Sequence, residues 1–162
     1  MMKYSDNAIN IIATKSFKGI GRAWINKNLK GNESADAIVA LLNNNSKQDE
    51  LVTIDDFEFS KTKIINQLER LEEFCDGIVA IGDKDFPKYR GNVKESEQPI
   101  FISYKGNLDL LDADNCNITV IGLLNPDEAI EQREQKIVAE IVKCDVAIVS
   151  GLAFGCDSIA HK

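Results

Sequence analysis

The sequence holds one histidine, one tryptophan and three prolines in 162 residues, and its four cysteines form no Cys-x-x-Cys pair. Cys75, Cys116, Cys144 and Cys156 are widely scattered, and His161 alone cannot complete a zinc set of familiar spacing. No metal site is expected, and the cysteines read as small apolar thiols of a reducing cytosol. No apolar run approaches the roughly 20 residues that span a bilayer, and no signal-type stretch follows Met1–Asn7. The expectation is a cytoplasmic protein with no membrane partner. Neither Gly-x-Gly-x-x-Gly nor a Walker A sequence occurs, which speaks against nicotinamide redox chemistry and nucleoside triphosphate hydrolysis. With a single histidine near the end of the chain, Ser150 has no convincing base and nothing assembles a hydrolytic site. A non-enzymatic protein without a cofactor is expected.

What is there is charge, unevenly placed. The net charge of −7 argues against a protein that coats nucleic acid indiscriminately. Residues 1–30, however, carry Lys3, Lys15, Lys18, Arg22, Lys27 and Lys30 against Asp6 alone, a local charge of +5 that leaves −12 for the remainder. A basic head on an acidic body points to local anion binding or, equally, to a solvated helix face.

The first third reads as short helices over 7–14, 20–29 and 34–43, with Gly19-Ile20-Gly21 as a hairpin that needs positive φ. Asn43-Asn44-Asn45-Ser46 breaks the third helix. A longer amphipathic helix is expected over 60–75, with Ser60 as its cap and Ile64, Ile65, Leu68, Leu71 and Phe74 as its stripe. Gly77–Ile81 and Pro99–Tyr104 read as strands, with Asp85-Phe86-Pro87 as a loop between them. Beyond these the pattern alternates. Residues 118–121 and 146–149 are apolar runs expected to be strands buried on both faces, joined by a helix over 126–143. Asn125, Pro126 and Glu128 are expected at N-cap, N1 and N3 of that helix.

Strand, helix, strand is a βαβ unit, so the fold class is α/β: a Rossmann-like, mostly parallel sheet preceded by a helical, helix-hairpin-helix-like module. The expected division is 1–45 helical module, 46–76 connection and helix, 77–162 α/β domain. The helix opening at Gly155 stops after about two turns, so the sheet is expected to be incomplete and the isolated chain to self-associate.

Ligands of open α/β sheets bind beyond the carboxyl ends of the strands. Glycine-rich loops running into helices cradle phosphates, because bare N–H groups point at the anion. The loop Ser150–Asp157 fits, with Gly151 and Gly155 permitting close approach and Ser150 and Ser158 offering hydroxyls. A plain strand-to-helix turn fits equally well, and Asp157 reads as an acid or a cap. Gly122-Leu123-Leu124-Asn125 is the corresponding loop of the first strand. In the head, Lys18 and Arg22, with Lys27, are the candidate phosphate contacts.

Ser150-Gly151-Leu152-Ala153-Phe154-Gly155-Cys156-Asp157-Ser158-Ile159-Ala160-His161 resembles the Ser-Gly-x-Ala-x-Gly-x-Asp-x-x-Ala-His signature of the DprA/Smf family of DNA-processing proteins. Asp85-Phe86-Pro87 resembles that family's Asp-x-Tyr-Pro segment, and Pro99-Ile100-Phe101 with Tyr104-Lys105-Gly106-Asn107 its Pro-Pro-x-x-Leu-x-x-Gly stretch. The head around Gly19-Ile20-Gly21 resembles its N-terminal helical module. The resemblance implies an extended Rossmann-like fold, binding of single-stranded DNA during natural transformation, and loading of a RecA-type recombinase. The family's Gly-[Ser/Thr]-Arg is replaced here by Gly122-Leu123-Leu124, without hydroxyl or arginine. Two other readings remain at this point: a Rossmann-like sensor of a nucleotide or other phosphate ligand, and a phosphoribohydrolase, whose Pro-Gly-Gly-x-Gly-Thr-x-x-Glu segment is missing.

Overall fold

A computed structural model describes residues 3–45, 50–89 and 91–162, so Ser46 of the expected helix break lies outside the described residues. The chain folds as two compact units, Met1–Asp109 and Leu110–Lys162. The finer boundaries expected at residues 45 and 76 stand as a proposal.

In the first unit, α1 (Asp6–Lys15), α2 (Arg22–Asn28) and α3 (Ala35–Asn43) occupy the three short periodic segments. Ser5 and Ser34 cap α1 and α3 by accepting from Ala8 N and Ala37 N, which satisfies N–H groups that have no partner within the helix. Gly19 has φ 72°, as the hairpin requires. The fourth helix departs from expectation: α4 runs Ile54–Glu69, six residues earlier than Ser60 and short of Leu71 and Phe74. Thr53 and Asp56 form a reciprocal capping box that starts it, so Ser60 lies mid-helix, its Oγ 2.7 Å from Ser16 Oγ. Leu71 and Phe74, beyond the helix end, are exposed.

That box yields a testable pH effect. The Thr53 hydroxyl and backbone N–H both donate to the Asp56 carboxylate and hold its pKa below the ordinary value of 3.8. A carboxyl whose pKa is lower when folded contributes stability above its unfolded pKa and loses it as pH falls through the folded one. Thr53→Ala is expected to cost about 1 kcal/mol near neutral pH, the usual loss for an N-cap hydroxyl. Its difference from wild type should shrink as pH drops below 3.8. Urea titrations at pH 7 and pH 3 check both. A constant difference would mean that the Asp56 carboxylate does not bond Thr53.

The four helices and β1 (Gly77–Ala80) share one apolar core. It includes Ile9, Ile11, Ile25, Leu29, Ile38, Leu42, Phe57, Leu68, Ile78 and Ile100. β1 is buried along its whole length and pairs antiparallel with β2 (Phe101–Tyr104), Gly77 opposite Tyr104 and Ala80 opposite Phe101. Asn7, 8% exposed, ties α1 to the turn after β1: its amide donates to Ile81 O and Asp83 Oδ1, and its carbonyl accepts from Asn32 N. Residues 83–89 form the expected irregular loop.

In the second unit, β3 (Asn117–Thr119) and β4 (Ala147–Val149) pair in parallel, Ile118 opposite Ile148, with α5 (Glu128–Ile141) as the crossover. The βαβ reading holds, and two details change. The N-cap of α5 is Asp127, not Asn125: its carboxylate accepts from Ile130 N at 2.9 Å, which moves Pro126 outside the helix and Glu128 to its first position. The strands are half-exposed, not buried on both faces, and Ile121 is 76% exposed. Among the described residues of this unit, α5 and the four-residue α6 (Cys156–Ile159) are the only α-helices, too little to cover both faces of the pair.

Candidate nucleic-acid interface

The carboxyl ends of β3 and β4 bring together five of the predicted residues, Gly122, Ser150, Gly151, Gly155 and Ser158. The two loops are latched. Cys156 N donates to Leu123 O at 3.0 Å, and Gly155, with φ 76°, lies so close to the Leu123 and Leu124 carbonyls that an added Cβ would run into both. A Cβ on Gly122 would meet Cys156 Sγ at 2.6 Å. Both glycines are therefore required by close approach, whether or not a ligand binds.

The loop after β4 does not present an empty nest of donors. Asp157, 9% exposed, turns back so that Oδ2 accepts from Gly151 N at 3.1 Å and from Ala153 N at 3.4 Å. Leu152 adopts φ 57° within this turn, a left-handed conformation unusual for a branched side chain. Asp157 thus caps the loop from within. The reading of Asp157 as a cap names the right residue but not its target, which is the loop backbone at Gly151 and Ala153. Ser150 Oγ is sealed from solvent with no hydrogen-bond partner, and Ser158 is half-buried in α6. The large apolar side chains that face water are Leu123, Leu124, Leu152 and Phe154, and Asn125 is exposed beside them.

Behind the loops, Cys156 packs against Glu134 of α5, whose carboxylate oxygens are also sealed from solvent. The neighbouring Glu134 carboxylate, and secondarily burial, push the Cys156 thiol pKa up. The shift favours the protonated thiol, the less nucleophilic form.

Lys18 and Arg22 belong to the first unit. They flank the Gly19-Ile20-Gly21 hairpin, in which Ile20 is buried as an apolar plug and Ile20 N donates to Phe17 O. Lys18, Arg22 and Lys27 are all exposed. Arg22 also has a structural contact, Nε donating to Ser96 O at 3.2 Å. Asn26, overlooked in the sequence, is 6% exposed and grips the same segment through Glu95 O and Gln98 O.

No described helix is long and apolar enough to cross a membrane. No curated protein matches the chain. Among solved structures, the chain is similar to the X-ray structure of DNA processing protein A (DprA) from Streptococcus pneumoniae. The TM-score is 0.55 at 21% identity, over 99% of this chain and 53% of that one. The likeness establishes a shared fold, and the chain spans about half the length of that protein. The family model described as DNA recombination-mediator protein A matches residues 77–162, which hold both parallel strands, the crossover helix and the latched loops. More than half of the sequence lies in that match, and the chain belongs to the DNA recombination-mediator protein A family.

Proposed function

We propose that this chain binds single-stranded DNA without catalysis, serving DNA uptake in natural transformation and the loading of a RecA-type recombinase in the cytoplasm. The observation that carries the reading is the family match over 77–162, with the Ser150–His161 motif folded as a latched loop at the end of a parallel strand. The α1–α2 hairpin supports it, because its exposed lysines and arginine supply cations to a protein whose net charge is −7.

The two surfaces take different roles in this proposal. Gly122, Ser150, Gly151, Gly155 and Ser158 shape the loop backbone that a strand would approach, while Lys18 and Arg22 supply the charge. The Gly151 and Ala153 N–H groups already donate to Asp157, which weakens the alternative of a phosphate-ligand sensor at that loop.

Fluorescence anisotropy with an oligo-dT probe across a salt series tests the reading. Binding should weaken with salt, and Lys18→Ala should flatten the log–log slope by about 0.7, the loss of one phosphate contact on a single strand. An unchanged slope would make the head a packing element only. Absence of oligo-dT binding, beside a thermal shift with a mononucleotide, would replace this reading with the sensor.

A further inference from the structure

A single turn of 3₁₀-helix at Glu95–Glu97 lies against α2, whose first residue is Arg22, one of the proposed DNA-binding cations. Its attachment is mainly through backbone. The buried Asn26 amide donates to Glu95 O at 2.7 Å and to Gln98 O at 2.8 Å, and Arg22 Nε donates to Ser96 O at 3.2 Å. Internal bonds shape the turn, Glu97 N to Lys94 O and Gln98 N to Glu95 O. None of these bonds needs the Glu95 or Glu97 carboxylates. Yet Glu95 and Glu97 are the sequence neighbours of Ser96, whose carbonyl holds Arg22, and Glu95 Oε1 lies 3.6 Å from Lys30 Nζ.

We infer that Glu95–Glu97 is an acidic strap, clamped to α2 by Asn26, that opposes polyanion binding at the basic face of that helix. The inference rests on the proposal that this face contacts single-stranded DNA. One observation and one physical argument favour this role over a purely structural one. The Lys30 and Glu95 side chains are 77% and 64% exposed, and an ion pair that open to water contributes little to folding. Its charge still acts on an approaching phosphate within a Debye length, about 10 Å at 0.1 M salt. Glu95 and DNA phosphates would therefore compete for Lys30, and the charge of the strap would oppose phosphates at Arg22, while the Asn26 clamp keeps the strap in place in either state.

The test uses the full chain and oligo-dT anisotropy, comparing wild type with the E95Q/E97Q double variant. The double variant is expected to melt like wild type and to bind about five-fold more tightly at about 50 mM salt, the gain falling to about two-fold at about 200 mM. A control, E72Q/E73Q, removes the same charge beyond the end of α4 and should gain much less. Equal affinity of wild type and E95Q/E97Q, or an equal gain from the control, overturns the strap and leaves the DNA reading intact. Failure of wild type and both variants to bind at about 50 mM overturns the DNA reading, and the strap with it.

Discussion

Replacing Phe57 with alanine is expected to cost the first unit about 3–5 kcal/mol, the range for truncating a fully buried aromatic ring. Phe57 has no exposed surface and lies on α4, its ring stacked on Phe17 with centroids 6.0 Å apart and planes 19° apart. Phe17 begins the turn into the Gly19–Gly21 hairpin, so the pair joins the longest helix to the segment that displays Lys18 and Arg22. Alanine would remove the transfer energy of the ring and leave a cavity that the rigid helices cannot fill. Phe57→Leu keeps most of the volume and should lose much less. Urea denaturation followed by Trp24 fluorescence reads the difference, since Trp24 packs against the same core. A Phe57→Ala loss below about 1 kcal/mol would mean that the ring does not sit in a close-packed core. Because the hairpin is anchored there, any DNA affinity carried by Lys18 should fall with stability and recover in the leucine variant.

The sequence made the fold class legible where periodicity and capping agreed. α1 and α3 each have a serine cap before an apolar stripe, and the spacing and the physics give the same answer. Around α4 they disagree. Ile54–Phe59 mixes Asp55, Asp56 and Glu58 with Phe57 and Phe59, and only Phe57 is buried while Phe59 is 62% exposed. A stripe read from Ile64 onward therefore starts the helix too late. The capping box at Thr53 and Asp56 was the better signal. At α5, Asn125 and Asp127 are both good N-cap residues two positions apart, and local preference does not separate them. The outcome rests on the hydrogen bond that Asp127 makes to Ile130 N. Burial of β3 and β4 was overestimated because an apolar run reports what a strand can bury, not what packs on it.

The site was legible in its glycines and illegible in its internal hydrogen bonds. Gly151 and Gly155 stand out by spacing. The return of Asp157 to the loop depends on Leu152 adopting φ 57°, which no propensity favours. The Asn26 clamp joins residues about 70 positions apart, a distance over which no local pattern carries information.

Gly155→Ala is expected to open the end of the parallel strand pair. Two costs combine there. At φ 76° and ψ −130° an L side chain is strained by about 1–3 kcal/mol. The added Cβ would also strike the Leu123 and Leu124 carbonyls, which are backbone and cannot turn aside. Gly106→Ala separates the two effects, because Gly106 has φ 91° but open space around it and should show the strain alone. For Gly155 the total should exceed about 3 kcal/mol, large against the few kcal/mol that hold a unit of this size. Relief would come from breaking the latch between Cys156 N and Leu123 O, which frees the β3 and β4 ends from each other. The Val120 amide reports this directly, since it donates to Val149 O at 2.9 Å just beyond the paired residues. Its hydrogen exchange should quicken by at least about a hundredfold in Gly155→Ala, following the lost opening free energy, and stay near wild type in Gly106→Ala. Protection retained at Val120 in Gly155→Ala would show that the latch is not what holds the two loops at the strand ends.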